Sequence, residues 1–370
     1  MKYKSLILTS LLLINVSCYA ETFESEKHNF EIETIAEGLV YPWSIDFLPD
    51  GRMLVTEKPG RLRIVDNGKL SEPVKGVPEV YFRDQSGLLD IALDPDYEKN
   101  NIIYLSYSAG DAGSKGTEVV KGKLVGNEFK ESEVIFKLAP KTSPAYHLGA
   151  RMLFDKDGTL FITLGDRGDQ HRAQDLSDHM GTLVRINKDG SVPEDNPFVN
   201  MPNAKPEIYT YGSRSMQGIA MHPETGDIWT VEHGPHGGDE LNLMKPGVNY
   251  GWPVITYGVN YGIGTKIGEG TEKEGMAQPV HYWSPSIATS SLLFYTGDKF
   301  PDWKGNAFVS SLKFGQLARL EIKNNRVRKE ERLINNKVGR IREVQQGLDG
   351  YIYIITDETN GKLLRLKPLN

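Results

Sequence analysis

Residues 150–165 read ARMLFDKDGTLFITLG: an alternating apolar run, a turn built on Asp-Gly, and a second apolar run. Asp-Gly between two such runs marks a β-hairpin, because glycine accepts the positive φ that a tight turn demands. The same template recurs along the chain. It is found as SIDFLPDGRMLVTE from Ser44, DIALDPDYEKNNIIYLSY from Asp90 and GIAMHPETGDIWTVE from Gly218. EVQQGLDGYIYIITD from Glu343 follows it closely, and LLFYTGDKFPDWKGNAFVSS from Leu292 is a longer variant. Six hairpins spread over about 350 residues give roughly 58 residues per unit, the size of a four-stranded propeller blade. Helical periodicity is scarce, and AQDLSDHMGTLVRI (173–186) accounts for at most one helical turn before a strand. The chain is therefore expected to be all-β, a six-bladed β-propeller of four-stranded antiparallel blades; a β-sandwich or two-sheet protein is the competing arrangement. FEIETIAEGL (30–39) is placed to complete the last blade and latch the ring. Two long insertions, about residues 166–217 and 245–290, are expected as face loops, where binding groups usually sit.

The start of the chain has a different character. Lys2 and Lys4 precede an apolar stretch from Leu6 to Val16 and the small-residue site Cys18-Tyr19-Ala20. Those are the three parts of a secretory signal, and the stretch falls short of the roughly 20 residues a spanning helix needs. Residues 1–20 are read as a cleaved signal and 21–370 as one propeller domain, exported to the periplasm. Lipidation of Cys18 is the alternative, which Asn15 disfavours by standing where an aliphatic residue is usual. Nothing later is apolar for long enough to cross a membrane. Cys18 is the single cysteine, so a chain cleaved after Ala20 has no disulfide, catalytic thiol or cysteine-held metal. Losing Lys2 and Lys4 also takes the net charge from −6 to −8, which argues against a nucleic-acid partner.

Three segments could carry chemistry. In GDIWTVEHGPHGGDELNLMKPGVNYGWP (226–253) a strand opens into a compact polar loop. A zinc site would use His233 and His236, but no regular helix aligns them in so glycine-rich a loop. Calcium suits the loop better, since Gly234 and Pro235 can expose carbonyls and Asp239 and Glu240 can add carboxylates. An ordinary tight turn is the third reading. In NKVGRIREVQ, Arg340 and Arg342 lie two apart, hence on one face of a strand. That is commonly a solvated face. Lys313 and Arg214 occupy comparable strand-end positions in neighbouring repeats, however, and four cations converging on a channel call for a polyanion such as a polycarboxylate. In SPAYHLGARMLF, His147 sits at a loop before a strand, where it is either structural or a general base oriented by Asp166 of the same hairpin. The tripeptide Arg167-Gly168-Asp169 is read as a chance match to an adhesion motif.

Taken together, DQSGLLDIALDPDY, HLGARM, YTYGSRSMQGIAMHP, EHGPHGGDELN, NYGWP and GRIREV resemble the soluble quinoprotein sugar dehydrogenases that use pyrroloquinoline quinone (PQQ), in particular the aldose branch. The resemblance runs from about Gly38 to the C-terminus. It implies a six-bladed propeller with PQQ at the channel mouth, a small aldose as substrate, a lactone as product and an external electron acceptor. It also implies His147 as the base, Arg214 polarising the quinone, and Lys313, Arg340 and Arg342 binding PQQ. Gln85 matches the family's glutamine near the ring, and Tyr261 a further contact. Gly234 and Pro235 would offer carbonyls to the calcium that binds PQQ, and Glu240 and Tyr250 would hold another Ca2+. Two departures bear on specificity. Tyr146 precedes the base where the glucose-dehydrogenase branch has aspartate, and Ser215, at the cofactor position after Arg214, stands where that branch has asparagine. A broad aldose range is therefore expected. The absence of Cys-x-x-Cys-His leaves electrons to a separate acceptor, and the protein is expected to be a monomer or weak dimer. A calcium-dependent lactonase and a non-catalytic carbohydrate- or protein-binding propeller are the competing functions.

Overall fold

The computed structural model describes residues 21–369. The signal and the Cys18 alternative lie outside them. Six antiparallel sheets account for nearly all regular structure. Each of the six hairpins found in the sequence forms the first two strands of a sheet. The six first strands are Pro42–Phe47, Leu88–Leu93, Gly149–Phe154, Met216–Met221, Thr289–Phe294 and Ile341–Gln346. Each contacts the next and the last returns to the first, so these strands close a ring around a central channel. The molecule is a six-bladed β-propeller.

Strand Phe30–Leu39 pairs antiparallel with Gly361–Pro368 as the fourth strand of the sixth blade, with the two-residue strand Thr22–Phe23 outside it. The ring is thus latched by joining the two ends of the described chain, as FEIETIAEGL predicted. The face-loop expectation needs correction. Segment 166–217 contains strands Leu183–Ile186 and Ile208–Thr210, which complete blade 3, and segment 245–290 contains His281–Trp283, which completes blade 4. These are short outer strands of three or four residues, too brief for alternation to show against the polar loops between them.

The second strand of a blade is sandwiched between neighbours, and Met53–Glu57, Leu160–Leu164, Ile228–Glu232, Ala307–Ser311 and Ile352–Thr356 are buried throughout. Accordingly the apolar core is divided into clusters between successive blades. Leu54, Leu62 and Ile64 meet Leu88 and Ile103 at one junction, and Trp229 and Val231 meet Leu292 and Val309 at another.

One irregularity repeats in every blade. The register between first and second strand slips near the start of the first, at Pro42/Ser44, Leu88/Ile91, Gly149/Met152, Met216/Gly218, Thr289/Ser291 and Ile341/Glu343. A bulge there leaves an unpaired residue and re-aims its side chain. Trp43, Leu89, Gln217 and Arg342 all lie in these bulges and all line the cavity described next.

Candidate active site

The first strands begin, and the second strands end, on the same face of the ring. At that face lies a cavity of about 430 Å3 lined by residues of every blade, among them Trp43, Lys58, Gln85, Gln217, Lys313, Arg340, Arg342 and Asp357. Four of the residues singled out from sequence, Gln85, Lys313, Arg340 and Arg342, are therefore together. Lys58 and Asp357 were not foreseen. Asp357 accepts from Arg342 Nη2, lies 3.8 Å from Arg340 Nη2, and has Lys58 Nζ at 3.7 Å. The cation cluster thus carries one internal counter-charge. Burial lowers the proton affinity of Lys58, against the pull of Asp357. Burial also acts against the charged form of Asp357, but Arg342 and Lys58 outweigh it and hold that carboxyl below its ordinary range. Each directly follows its second strand, after Glu57 and Thr356, and nothing local to either hairpin marks it as facing the cavity.

His147 stands at the cavity's edge, preceding the lining residues Leu148 and Gly149. Its backbone is left-handed, with φ of 51°. Its N–H donates to Gln85 Oε1 (2.8 Å). A Cβ on Gly165 would come within 2.1 Å of the His147 carbonyl, so only glycine lets the two strands approach so closely here. His147 Nδ1 lies 2.6 Å from Asp166 Oδ1, as the shared hairpin suggested. The other oxygen of Asp166 accepts from Trp252 Nε1 (2.8 Å) and the first accepts also from Gly168 N–H (2.8 Å). Burial alone would raise this carboxyl, but the His147 hydrogen bond and charge, the Gly168 N–H and Arg214 hold it below its ordinary value. An ionised Asp166 takes a proton-bearing Nδ1, which leaves His147 Nε2 as the free basic nitrogen. Trp252 was missed as a site residue, although NYGWP had been noted as a motif.

Arg214 lies beside the cavity. Its Nη1 donates to the His233 carbonyl (3.1 Å), and its guanidinium sits 5.4 Å from the Trp252 ring centre. Ser215 is fully buried, with its hydroxyl accepting from Gln217 Nε2 (3.2 Å). Gln217 in turn lines the cavity.

The polar loop after Glu232 is held by Asp239, whose carboxylate accepts from the N–H groups of Gly234 (2.9 Å) and Ala288 (2.7 Å). Asp239 is therefore a staple, and among the described residues no group of three or more His, Cys, Asp or Glu is gathered as a metal cluster. The cation question narrows to a small pocket lined by Glu232, Gly234, Glu240 and Tyr250. Asn242 Nδ2 bridges Glu232 Oε1 (3.2 Å) and Glu240 Oε2 (3.1 Å). Burial pushes both carboxyls up; Glu232 adds to the rise at Glu240, while at Glu232 the Arg214 and Ser215 N–H groups and the Arg214 charge oppose it. Two acids, Glu232 buried and Glu240 partly so, without an ion pair among the described residues suit a hard cation. Tyr250 can contribute only its carbonyl, because its hydroxyl is spent on Leu243 O (2.6 Å) and Lys245 N–H (2.9 Å). Pro235 O accepts from the Tyr261 hydroxyl at 3.1 Å. Tyr261 is 67% exposed, stacks on His236 and does not line the cavity, so the structure does not bring it to the other cofactor candidates.

Comparison with known proteins agrees with this geometry. The family model described as glucose/sorbosone dehydrogenase matches residues 39–365. The aldose sugar dehydrogenase YliI of Escherichia coli (strain K12) is 41% identical over 98% of this chain and 99% of that one. The structure of the soluble aldose sugar dehydrogenase from Escherichia coli in its apo form superposes with a TM-score of 0.89, at 42% identity, over 92% of this chain and all of that one. The PQQ-bound aldose sugar dehydrogenase from Streptomyces coelicolor superposes with a TM-score of 0.75, at 26% identity, over 91% of this chain and 98% of that one. A propeller whose channel mouth gathers a histidine–aspartate pair and a basic cavity, matched over nearly its whole length, belongs to the glucose/sorbosone dehydrogenase family.

Proposed function

We propose that this protein oxidises aldoses at C1 to lactones with PQQ and calcium, passing the electrons to an external acceptor. The observation that carries the reading is the His147–Asp166 pair at the rim of a cavity lined by Lys58, Lys313, Arg340 and Arg342. The lining fits a tricarboxylate. Arg342 Nε and His233 Nε2 are buried without a hydrogen-bond partner, in side chains that line the cavity. Buried polar groups of this kind are costly to leave unmatched. Lys313, Arg340 and Arg342 would hold carboxylates and quinone oxygens, with Gln85 and Ser215 flanking and Tyr261 able to contribute only through a loop movement. Gly234, Pro235 and Glu240, with the Tyr250 carbonyl, are the calcium candidates. The PQQ-bound relative supports the cofactor assignment.

When bound, PQQ with its calcium supplies the two-electron acceptor and the Lewis acid that makes it electrophilic. The chain's own residues do the rest. Asp166 fixes the His147 tautomer, and His147 Nε2 takes the proton of the anomeric hydroxyl as hydride leaves C1. Arg214, held over Trp252, presents positive charge beside that position. The N-terminal signal supports a periplasmic location, where sugars and external acceptors are both accessible.

The test is reconstitution. Mature apo-protein receives PQQ and calcium separately and together, and dye reduction is followed with a panel of aldoses. Turnover requiring both additions is expected. Absence of PQQ binding, with lactone hydrolysis in calcium alone, would replace this reading by a hydrolase.

A further inference from the structure

Arg167, the arginine of the Arg-Gly-Asp match, is 1% exposed, so it cannot present an adhesion motif. Its burial raises a different question. Nη2 donates to the Pro144 carbonyl, while Nε and Nη1 are buried with no partner. Those two nitrogens carry three of the five guanidinium N–H bonds, and all three are unmatched. Lys115, also 1% exposed, donates to the carbonyls of Ala112 (2.8 Å) and Ser143 and lies 4.6 Å from the centre of the Tyr81 ring. Two buried cations thus grip the consecutive carbonyls of residues 143 and 144, on the loop that leads into His147. Among the described residues neither makes an ion pair within 4.0 Å. The nearest acid in sequence, Asp166, already has both oxygens occupied by His147, Gly168 and Trp252. The hydroxyl of Thr142, whose backbone pairs with Lys115, is a further buried group without a partner.

Carbonyls and a ring face do not neutralise charge, and burying cations uncompensated is costly. Burial in fact depresses Arg167 to about 10, despite Asp166. We propose that Arg167 and Lys115 hold a small inorganic anion of the halide class beneath the loop that carries His147. Both side chains are closed off from solvent, so the guest must be small. The unmatched Nε–H and Nη1–H bonds are its donors. The site is separate from the cofactor cavity, whose lining contains neither residue.

The test needs no turnover. Apo-protein is melted in sodium chloride, sodium bromide and sodium methanesulfonate at equal ionic strength, and bromide-grown crystals are measured at the bromine edge. The expected result is a saturable rise in Tm of about 2 °C in halide at ten times its Kd. An anomalous peak within hydrogen-bond reach of Arg167 should accompany it, and Arg167→Met should lose both. If that variant does not fold, the wild-type titration and peak still decide. No bromide peak at Arg167, or a halide response kept in full by Arg167→Met, would overturn the proposal.

Discussion

Asp166 commits both carboxylate oxygens, one to His147 Nδ1 and Gly168 N–H and the other to Trp252 Nε1. An amide there has a single acceptor oxygen, so Asp166→Asn sets its NH2 against either the imidazole or the indole donor. The imidazole is then free to take the wrong tautomer. kcat should fall by about 10²–10⁴-fold, with PQQ affinity and Tm nearly unchanged. Turnover within threefold of wild type would show that Asp166 does not orient the base. The two arginines separate differently. Arg340 has a side chain 54% exposed, whereas Arg342 is buried against Asp357. Loss of one charge-assisted contact predicts that Arg340→Ala weakens PQQ binding by about 10–100-fold and leaves Tm alone. Arg342→Ala should lower both, since it strips a buried acid of its closest partner. Fluorescence titration with PQQ, paired with melting curves, checks the contrast. His147 and Asp166 were legible because one hairpin holds both. Lys58 and Asp357 were not, because nothing local says that blades 1 and 6 meet across the closure.

The hairpin is the unit that both builds the ring and aims the site. Its two ends carry different constraints. Gly51 sits in an Asp-Gly turn at φ of 89° with nothing within 4 Å of an added Cβ. Gly51→Ala should cost about 1–2 kcal/mol for the left-handed backbone and leave kcat unchanged. Gly165 lies at the opposite end, where an added Cβ would meet the His147 carbonyl at 2.1 Å. Gly165→Ala should therefore push the His147 loop away and lower kcat more than tenfold, an effect of the size expected for a misplacement near 1 Å. Parallel melting and dye-reduction assays on the two variants would expose the reverse pattern if it holds. The Asp-Gly turns made these hairpins readable. The bulges were not readable, because Trp43, Gln217 and Arg342 share no residue type; what they share is a position in the register. The short outer strands of blades 3 and 4 were hidden for a simpler reason. Only three or four residues long, they have too few positions to express a period.

At the scale of the whole ring, one side chain touches every blade. Arg151, from blade 3, donates to Asp90 Oδ1 (3.1 Å), Glu343 Oε1 (2.6 Å) and the carbonyls of Gln217 (3.0 Å), Ser290 (3.0 Å), Arg342 (3.4 Å) and Trp43 (3.5 Å). Its guanidinium also lies 3.9 Å from the Trp43 ring centre. The charges do not balance, since one buried cation faces two buried acids. Burial pushes Glu343 up to about 8 from an ordinary 4.5, with Asp90 adding to the shift and Arg151 opposing it, and burial raises Asp90 as well. The axial cluster therefore keeps a proton that the unfolded chain releases near pH 4.5. Between that value and about 8 the native state binds more protons than the unfolded state, so this cluster's contribution to stability declines as pH rises. Glu343→Gln removes the titrating group, and whatever it costs in packing is independent of pH. Melting of the apo-protein from pH 5 to pH 8.5 should then fall more steeply for wild type than for the variant, the two curves converging or crossing as pH increases. Parallel curves would mean that Arg151 holds both carboxylates ionised throughout. In that case the axis is a fixed ion cluster with no proton to lose, and any pH dependence of the ring must come from its blades.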